Sequence, residues 1–348
     1  MLGNGKISII IVTRNNEKDM EECLTSISKQ TYQNFEVIVV DNASSDKTLE
    51  HVRKFPNIKI ISNSRNVGYS KGNNVGYEKA DGEYVAILNP DTIVDENWLT
   101  ELVKALEKNA NIGIVTPKVL MYDHKGIINT CGNDVHFTGL GFSRGINKKE
   151  WNYDLSEYLF TPSGCSFLIK KETIKRAGFF DEDFFLRSEV PDLAWRAHLI
   201  GYTCKYVPTS KVFHKYNFKM DSFWYYLTER GRLLLILKNY TYRSLVLISF
   251  PLIVTEMLTW GYAFLKGREF ILSKILAYKW IIRSRHKIRR KRKSINKIKR
   301  INDREIFRML KWEIGQLDQL IGKSSAVWMT KMLNSLFRFF YVSLRRVI

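Results

Sequence analysis

What most constrains this chain is a regular alternation in its first 120 residues. Five apolar, β-branched runs fall at 7–12 (ISIIIV), 35–40 (FEVIVV), 58–62 (IKIIS), 84–88 (YVAIL) and 112–116 (IGIVT). Segments with helical spacing, such as 20–28 and 97–109, lie between them. A strand apolar along its whole length has both faces covered, and strands joined through helices run parallel. The pattern therefore predicts an α/β fold, Rossmann-like, with a mostly parallel sheet and helices on both faces. Ligands in such sheets bind beyond the carboxyl ends of the strands. Polar clusters stand at four of those ends: Thr13-Arg14-Asn15-Asn16, residues 41–46 (DNASSD), residues 63–66, and Asn89-Pro90-Asp91. One such cluster would be ordinary turn chemistry. Four at successive strand ends predict a ligand-binding edge.

The fourth end carries the sharpest question, because a buried run stops in a proline-stiffened turn with a carboxylate at its tip. Pro90 fixes the turn so that Asp91 points to the edge. There Asp91 suits a hard divalent cation, which takes one or two carboxylates plus substrate phosphates. Equally, an Asp before Thr-Ile-Val-Asp could cap the following segment. Spacing alone leaves both readings open.

Charge divides the chain. Residues 1–230 carry 29 Lys/Arg against 29 Asp/Glu, and residues 231–348 carry 26 against 6, so the whole formal +20 sits in the last third. Four scattered cysteines, Cys23, Cys131, Cys165 and Cys204, form no Cys-x-x-Cys pair. This argues against a zinc ribbon or disulfide framework and fits a reducing compartment. The run at 7–12 is too short for a signal-peptide core.

After Lys219 the texture changes. Residues 223–237 are rich in aromatics and leucine, 244–265 are nearly continuous apolar sequence, and 283–300 hold 11 Lys/Arg in 18 residues. Ile306, Leu310, Ile314, Leu317 and Ile321 follow three/four spacing and predict an amphipathic helix, with a last helix over 327–344. The apolar stretch has the length of a bilayer span. Pro251 and Glu256 interrupt it, however, and a central acid costs roughly 3 kcal/mol on insertion scales. The expected arrangement is therefore helices lying in a membrane interface, with the basic run drawn to an anionic membrane surface. The domains expected are a globular part over 1–222, an apolar helical membrane-associated segment over 223–275 and a basic amphipathic tail over 276–348. Peripheral or monotopic placement on the cytoplasmic face of the cell membrane follows. The two last amphipathic helices could instead mediate a homodimer. A nucleic-acid partner is disfavoured, since stacking aromatics are not interleaved with the basic run.

With VTRNN, VVDNASSDKT, NVGYSKGNNVGY, ADGEYVAILNPDT, the SGC turn at 163–165 and GFFDEDFF followed by DLAWR, residues 7–215 resemble glycosyltransferase family 2, in its rhamnosyltransferase-like branch. The resemblance implies the GT-A fold and a metal-assisted, inverting transfer of a sugar. The donor would be a nucleotide-sugar such as a UDP- or dTDP-sugar, the acceptor lipid-linked or a glycan, the cofactor Mn²⁺ or Mg²⁺. Position by position, Asn89 and Asp91 match the family's Asp-x-Asp metal motif in a degenerate form. Thr13, Asn15 and Asp41 match positions lining the nucleoside, and Asp81 falls on the nucleotide side. Lys71 and Asn73, with Gly68 and Asn74, match the ribose and diphosphate segment. His214, in Val-Phe-His-Lys, resembles a late histidine that approaches the metal, and Arg230 falls where relatives often carry a diphosphate-contacting arginine. Relatives place the catalytic base in a Glu-Asp-x-Asp-Leu run; here it reads Glu189-Val190-Pro191-Asp192-Leu193, with Val190 at the base position. Three expectations follow: Glu189 serves as the base, Asp192 serves, or the domain binds sugar nucleotides without turnover.

Overall fold

A computed structural model of the chain describes residues 3–217, 219–315 and 323–348. It divides into two compact units, one of Met1–Asn133, Ser143–Ala197 and Gly201–Phe218, the other of Asp134–Phe142, His198–Ile200 and Lys219–Ile348.

The first unit is built on the apolar runs. They form β1 (Ile7–Thr13), β2 (Phe35–Asp41), β3 (Ile58–Ser62) and β4 (Tyr84–Leu88), which lie parallel in the order β3-β2-β1-β4. Between them run α1 (Met20–Ser28), α2 (Thr48–Arg53) and α3 (Gly68–Glu78). The close fit of α3 depends on glycine: a Cβ at Gly76 would stand 2.6 Å from Ile10 Cγ2, so no larger residue lets the helix approach β1 this nearly. After β4 come β5 (Thr92–Val94) and α4 (Trp98–Glu107). Trp98, Leu99, Leu102, Val103 and Leu106 repeat at helical spacing and are all completely buried. Burying a side chain of this size stabilises by about 2 kcal/mol. Trp98 keeps its polar atom satisfied by donating from Nε1 to Ser166 Oγ at 3.1 Å.

Beyond β4 the sheet departs from the parallel pattern. The run expected over 112–116 extends as β6 (Ile112–Met121), and it is not β4's neighbour. Short strands β7 (Ile128–Thr130), β8 (Asn133–Val135), β9 (Gly141–Ser143) and β10 (Tyr158–Leu159) follow. Then β11 (Ser166–Lys170) inserts antiparallel between β4 and β6, and β12 (Thr203–His214) pairs parallel with β6 and carries β10 and β5 antiparallel as further partners. Between these two strands lie α5 (Lys171–Ala177) and α6 (Glu189–Leu199). The sheet is thus parallel in its first half and mixed in its second.

The second unit is helical: α7 (Ser222–Asn239), α8 (Tyr242–Leu247), α9 (Ser249–Lys266), α10 (Arg268–Arg283), α11 (Arg285–Ile298), α12 (Asp303–Met309) and α13 (Lys323–Leu344). The 244–265 stretch is two helices rather than one, with Pro251 in the first turn of α9, where its missing N–H costs nothing. No helix among the described residues is long and apolar enough to cross a membrane. The amphipathic helix expected from Ile306 onward stops at Met309. Lys311 has strand-like bonds instead, donating to Val135 O at 2.8 Å and accepting from Phe137 N at 3.0 Å, and this captures the chain out of helical geometry. Leu317 and Ile321 lie outside the described residues. An aromatic cluster of Phe137, Phe307 and Tyr341 centres this unit's core, with ring centroids 5.3 and 4.9 Å apart along it.

Candidate active site

The sheet register assembles the site's centre. β12 pairs antiparallel with β5, setting His214 opposite Thr92, so the residue before β5 and the last residue of β12 meet. His214 Nε2 stands 3.3 Å from Asp91 Oδ1. The other ring nitrogen, Nδ1, donates to Asn129 Oδ1 at 2.9 Å, which fixes the ring with Nε2 turned toward the carboxylate. Asp91 Oδ1 is buried, with no well-aligned hydrogen bond among the described residues. Burial would depress the His214 imidazole, but Cys165 and Asp91 beside it outweigh that and hold it up at about 10.

This pair fits a divalent cation. A carboxylate oxygen facing an imidazole nitrogen, the ring held by an amide carbonyl behind it, is a mixed oxygen and nitrogen donor set with its supporting shell. Among the described residues no cluster of three His, Cys, Asp or Glu could hold a metal alone. A cation here would draw its remaining ligands from water or a bound diphosphate.

Glu189 opens α6 and is 5% exposed, with Oε2 lacking a hydrogen-bond partner among the described residues. Burial pushes its carboxyl up to about 7, against the pull of Arg187 in the other direction. The loop that delivers it is strained: Phe185, Arg187 and Ser188 all have positive φ, at 62°, 77° and 65°. Each costs of order 1 kcal/mol or more, and such strain persists only where the surroundings impose it. Here Gly68 does so. At φ 85°, it lies so near Phe185 that a Cβ would stand 2.7 Å from the Phe185 carbonyl, and that carbonyl accepts from Ser70 N at 3.0 Å.

Asp192, the other acid weighed as base, is fully buried and committed elsewhere. It pairs with Arg196 Nε at 2.9 Å, and that guanidinium donates to the carbonyls of Gly178 and Phe179 at 2.6 Å. This buried ion pair sets Asp192 apart from Glu189, whose Oε2 has no partner among the described residues.

Among the nucleotide-side residues, Thr13, Asn15 and Asp41 do converge. Asn15, at φ 56°, accepts from Ser45 N at 2.8 Å through Oδ1, and its own N–H reaches Ser44 Oγ at 3.0 Å. Asp41 accepts from the Ser44 backbone N–H at 3.2 Å, and Thr13 Oγ1 donates to Asn16 Oδ1 at 3.0 Å. These bonds knit the ends of β1 and β2 into one rigid rim. Asn89 holds the next end, its N–H donating to Cys165 O at 2.9 Å.

Other expected residues stand elsewhere. Asp81 precedes β4 and so lies at the amino ends of the strands, where it pairs with Lys59 at 2.8 Å; it is on the wrong edge for the nucleotide. Asn73 is fully buried on α3, where it donates to Tyr69 O within its own helix. Lys71 is half exposed, 3.5 Å from Glu182. Arg230 belongs to the helical unit, where its guanidinium covers the rings of Tyr226 and Trp280 at 5.1 and 5.0 Å.

Sequence reasoning missed Tyr69 and Asn129. Tyr69 donates to Gly164 O at 2.9 Å, and burial, followed by Glu189, Cys165 and Asp91, raises its phenol well above the ordinary value. It therefore stands among the base candidate, the acceptor-side turn and the metal candidate. The Gly-Tyr opening of α3 was its only signal. Asn129 gave none, since it lies 85 residues from the histidine it holds.

Residues 8–175 match the family described as Glycosyl transferase family 2. The poly-beta-1,6-N-acetyl-D-glucosamine synthase of Staphylococcus epidermidis is 26% identical over 205 residues, covering 58% of this chain and 48% of the relative. Across the curated relatives it matches, the chain spans 34% to 59% of their length. Among solved structures, GalNAc-T7 with UDP, GalNAc and Mn²⁺ superposes with a TM-score of 0.57 at 18% identity, over 67% of this chain and 48% of that one. S. aureus TarS 1-349 in complex with UDP-GlcNAc superposes with a TM-score of 0.53 at 18% identity, over 98% of this chain and 92% of that one. At these identities the likeness is one of fold.

Proposed function

Through residues 8–175 the chain belongs to glycosyl transferase family 2, and from that premise we propose an inverting glycosyl transfer. The donor is a sugar carried on a nucleoside diphosphate such as UDP or dTDP; the acceptor is a hydroxyl of a glycan or lipid-linked glycan. One observation carries the reading: at the carboxyl edge of the sheet, a rigid nucleoside-side rim, an Asp91–His214 pair suited to a cation and a buried carboxyl at Glu189 occur together. The polysaccharide synthase and the UDP-bound structures among the matches support the same class.

The backbone and side chains at Thr13, Asn15 and Asp41 take the nucleoside, leaving the diphosphate toward Asp91. Asp91 and His214 would hold Mn²⁺ or Mg²⁺, which would supply neutralisation of the charge on the diphosphate. Glu189 accepts the acceptor's proton while the hydroxyl oxygen forms its bond to the anomeric carbon. The bond from that carbon to the diphosphate breaks with its electron pair leaving on the phosphate oxygen. A carboxyl raised toward 7 is a stronger base than an ordinary one, and a partnerless Oε2 is available to take the proton.

A second reading, donor binding without turnover, is favoured by Val190, a buried apolar side chain where relatives carry an acid. Thermal shift with a panel of UDP-, dTDP- and GDP-sugars, with and without Mn²⁺, tests donor binding. Nucleoside-diphosphate release by wild type and Glu189→Gln tests turnover. The expected result is metal-dependent stabilisation by one donor and a loss of about 100-fold or more in turnover for Glu189→Gln. No stabilisation by any donor removes the transferase reading, while stabilisation without turnover in wild type selects the second.

A further inference from the structure

The apolar residues of α8 and α9 point two ways. Pro251, Thr255 and Ala263 face inward, whereas Val246, Phe250, Ile253, Met257, Phe264 and Leu265 are each 50–74% exposed. Phe250, Ile253, Met257 and Phe264, at successive steps of four, three, four and seven residues from Val246, lie along one outward face of α9. Between residues 244 and 265 the single charged residue is Glu256, and it is turned away from that face. Its carboxylate pairs with Arg232 and, at 3.0 Å, with Lys274, and it accepts from the Tyr278 hydroxyl. The acid that seemed to interrupt an apolar surface is thus spent inside the helical unit.

The surface is continuous with its neighbours. Phe250 packs on Phe340 of α13 at 4.9 Å, and Phe339 beside it is 66% exposed. On the other flank Trp260 stacks on Tyr278 of α10 at 6.0 Å, and Ile275 and Leu276 of that helix are about half exposed. Contiguous outward apolar surface of this kind marks a docking face rather than scattered surface residues.

Cations adjoin it. Lys279 and Arg283 continue the exposed side of α10 beside an aromatic cleft of about 440 Å³ lined by Phe223, Tyr226 and Trp280. Then α11 exposes Arg285, Arg289, Arg290, Lys293 and Lys297. The occupant must cover an apolar stripe and accept cations. A second copy of this chain would oppose two regions that each carry 26 Lys/Arg against 6 Asp/Glu. A nucleic acid would leave the stripe in water. A bilayer containing anionic lipid satisfies both demands, and since no described helix can cross it, α9 lies in the plane of the interface. We propose that the outward face of α8, α9 and α10, with the cations of α11, docks this protein on an anionic lipid surface.

The test is co-sedimentation of the full chain with phosphatidylcholine vesicles and with vesicles holding about 30 mol % phosphatidylglycerol, each at low and high salt. Wild type is expected to bind the anionic vesicles roughly tenfold more tightly, with most of the preference lost at high salt. Ile253→Asp with Met257→Asp should abolish binding to both, because both sites are solvent-facing and the fold, checked by circular dichroism melting, stays intact. Arg289→Glu with Arg290→Glu should remove the anionic preference alone. Wild-type binding unaffected by the aspartates overturns the proposal. So does a wild type that ignores vesicles, whether light scattering shows a dimer that those aspartates split or a nucleic-acid probe binds instead.

Discussion

His214 Nε2 lies 3.3 Å from Asp91 Oδ1 while its Nδ1 donates to Asn129 Oδ1 at 2.9 Å, so one imidazole is gripped from behind by an amide and presented to a carboxylate in front. The grip predicts an effect for a residue that touches no substrate. Asn129→Ala frees the ring without altering either donor, and losing such a support costs about 10- to 100-fold in metal affinity. Isothermal titration with Mn²⁺ in the presence of a nucleoside diphosphate reads it. Asp91→Asn should be more severe, leaving donor stabilisation independent of Mn²⁺.

The same imidazole makes cation binding depend on pH. With its proton held up to about 10, His214 is charged at neutral pH and must give up that proton to ligate. Apparent Mn²⁺ affinity should therefore rise by close to tenfold per pH unit between about 6.5 and 9. Stability runs the other way. A raised folded-state value contributes fully below about 6.5, the unperturbed value for histidine, and is lost as pH climbs through about 10. In His214→Gln both slopes should flatten, which titrations and urea melts at matched pH would detect.

Glu189 should trade stability for function. Its carboxyl is raised from 4.5 to about 7 because burial disfavours the charge. Folding is therefore favoured with the proton on, and that contribution disappears as pH rises from about 4.5 through 7. At pH 8 the buried charge costs up to about 3 kcal/mol. Glu189→Gln removes the charge and keeps the shape. It should melt higher than wild type at pH 8, match it near pH 4, and release almost no nucleoside diphosphate.

Asp192 should behave oppositely, although it lies three residues away. Its ion pair with Arg196 is buried, and breaking one partner of such a pair costs about 3–5 kcal/mol. Asp192→Asn should lower the urea midpoint sharply, and any fall in turnover should track the folded fraction rather than exceed it. A variant that stays fully folded and inactive would return Asp192 to the chemistry.

Why some residues were legible and others not follows from where the signals lie. The strands β1, β2 and β4 were readable because both their faces are largely buried, so their apolar runs are unbroken; β3, at the sheet's edge and mostly exposed, was readable only from its β-branched residues. The antiparallel insertion of β11 was not, since a five-residue run carries no record of its neighbours. Asp81 and Asp91 sit close together in one short stretch of sequence, yet β4 runs between them. Five strand residues separate their two ends by roughly 16 Å, which puts one acid at each edge of the sheet. Lys71 and Asn73 failed to travel together for a helical reason: two positions on a helix differ by about 200°, so one faces solvent and the other is buried. Glu256 looked like an interruption in an apolar span because sequence gives its depth and not its direction.

Gly68 links the donor-side helix to the loop that carries Glu189, and its replacement should separate binding from chemistry. At φ 85° an alanine is strained by about 1 kcal/mol, and its Cβ would meet the Phe185 ring at 2.5 Å and the Phe185 carbonyl at 2.7 Å. The ring can swing aside, but the carbonyl is tied to Ser70 N, so the backbone of 185–188 must shift, and Glu189 follows it directly. The side-chain bonds of Thr13, Asn15 and Asp41 run to neighbouring residues of the β1 and β2 ends, and Asn42 of that rim reaches Gly68 only at its carbonyl, at 3.1 Å, so the rim is left in place. Gly68→Ala is therefore expected to keep metal-dependent stabilisation by the donor while turnover falls by about 10-fold or more, since a 1 Å misplacement alone can cost about 100-fold. Equal losses in donor binding and turnover would mean that the glycine serves the nucleotide side instead.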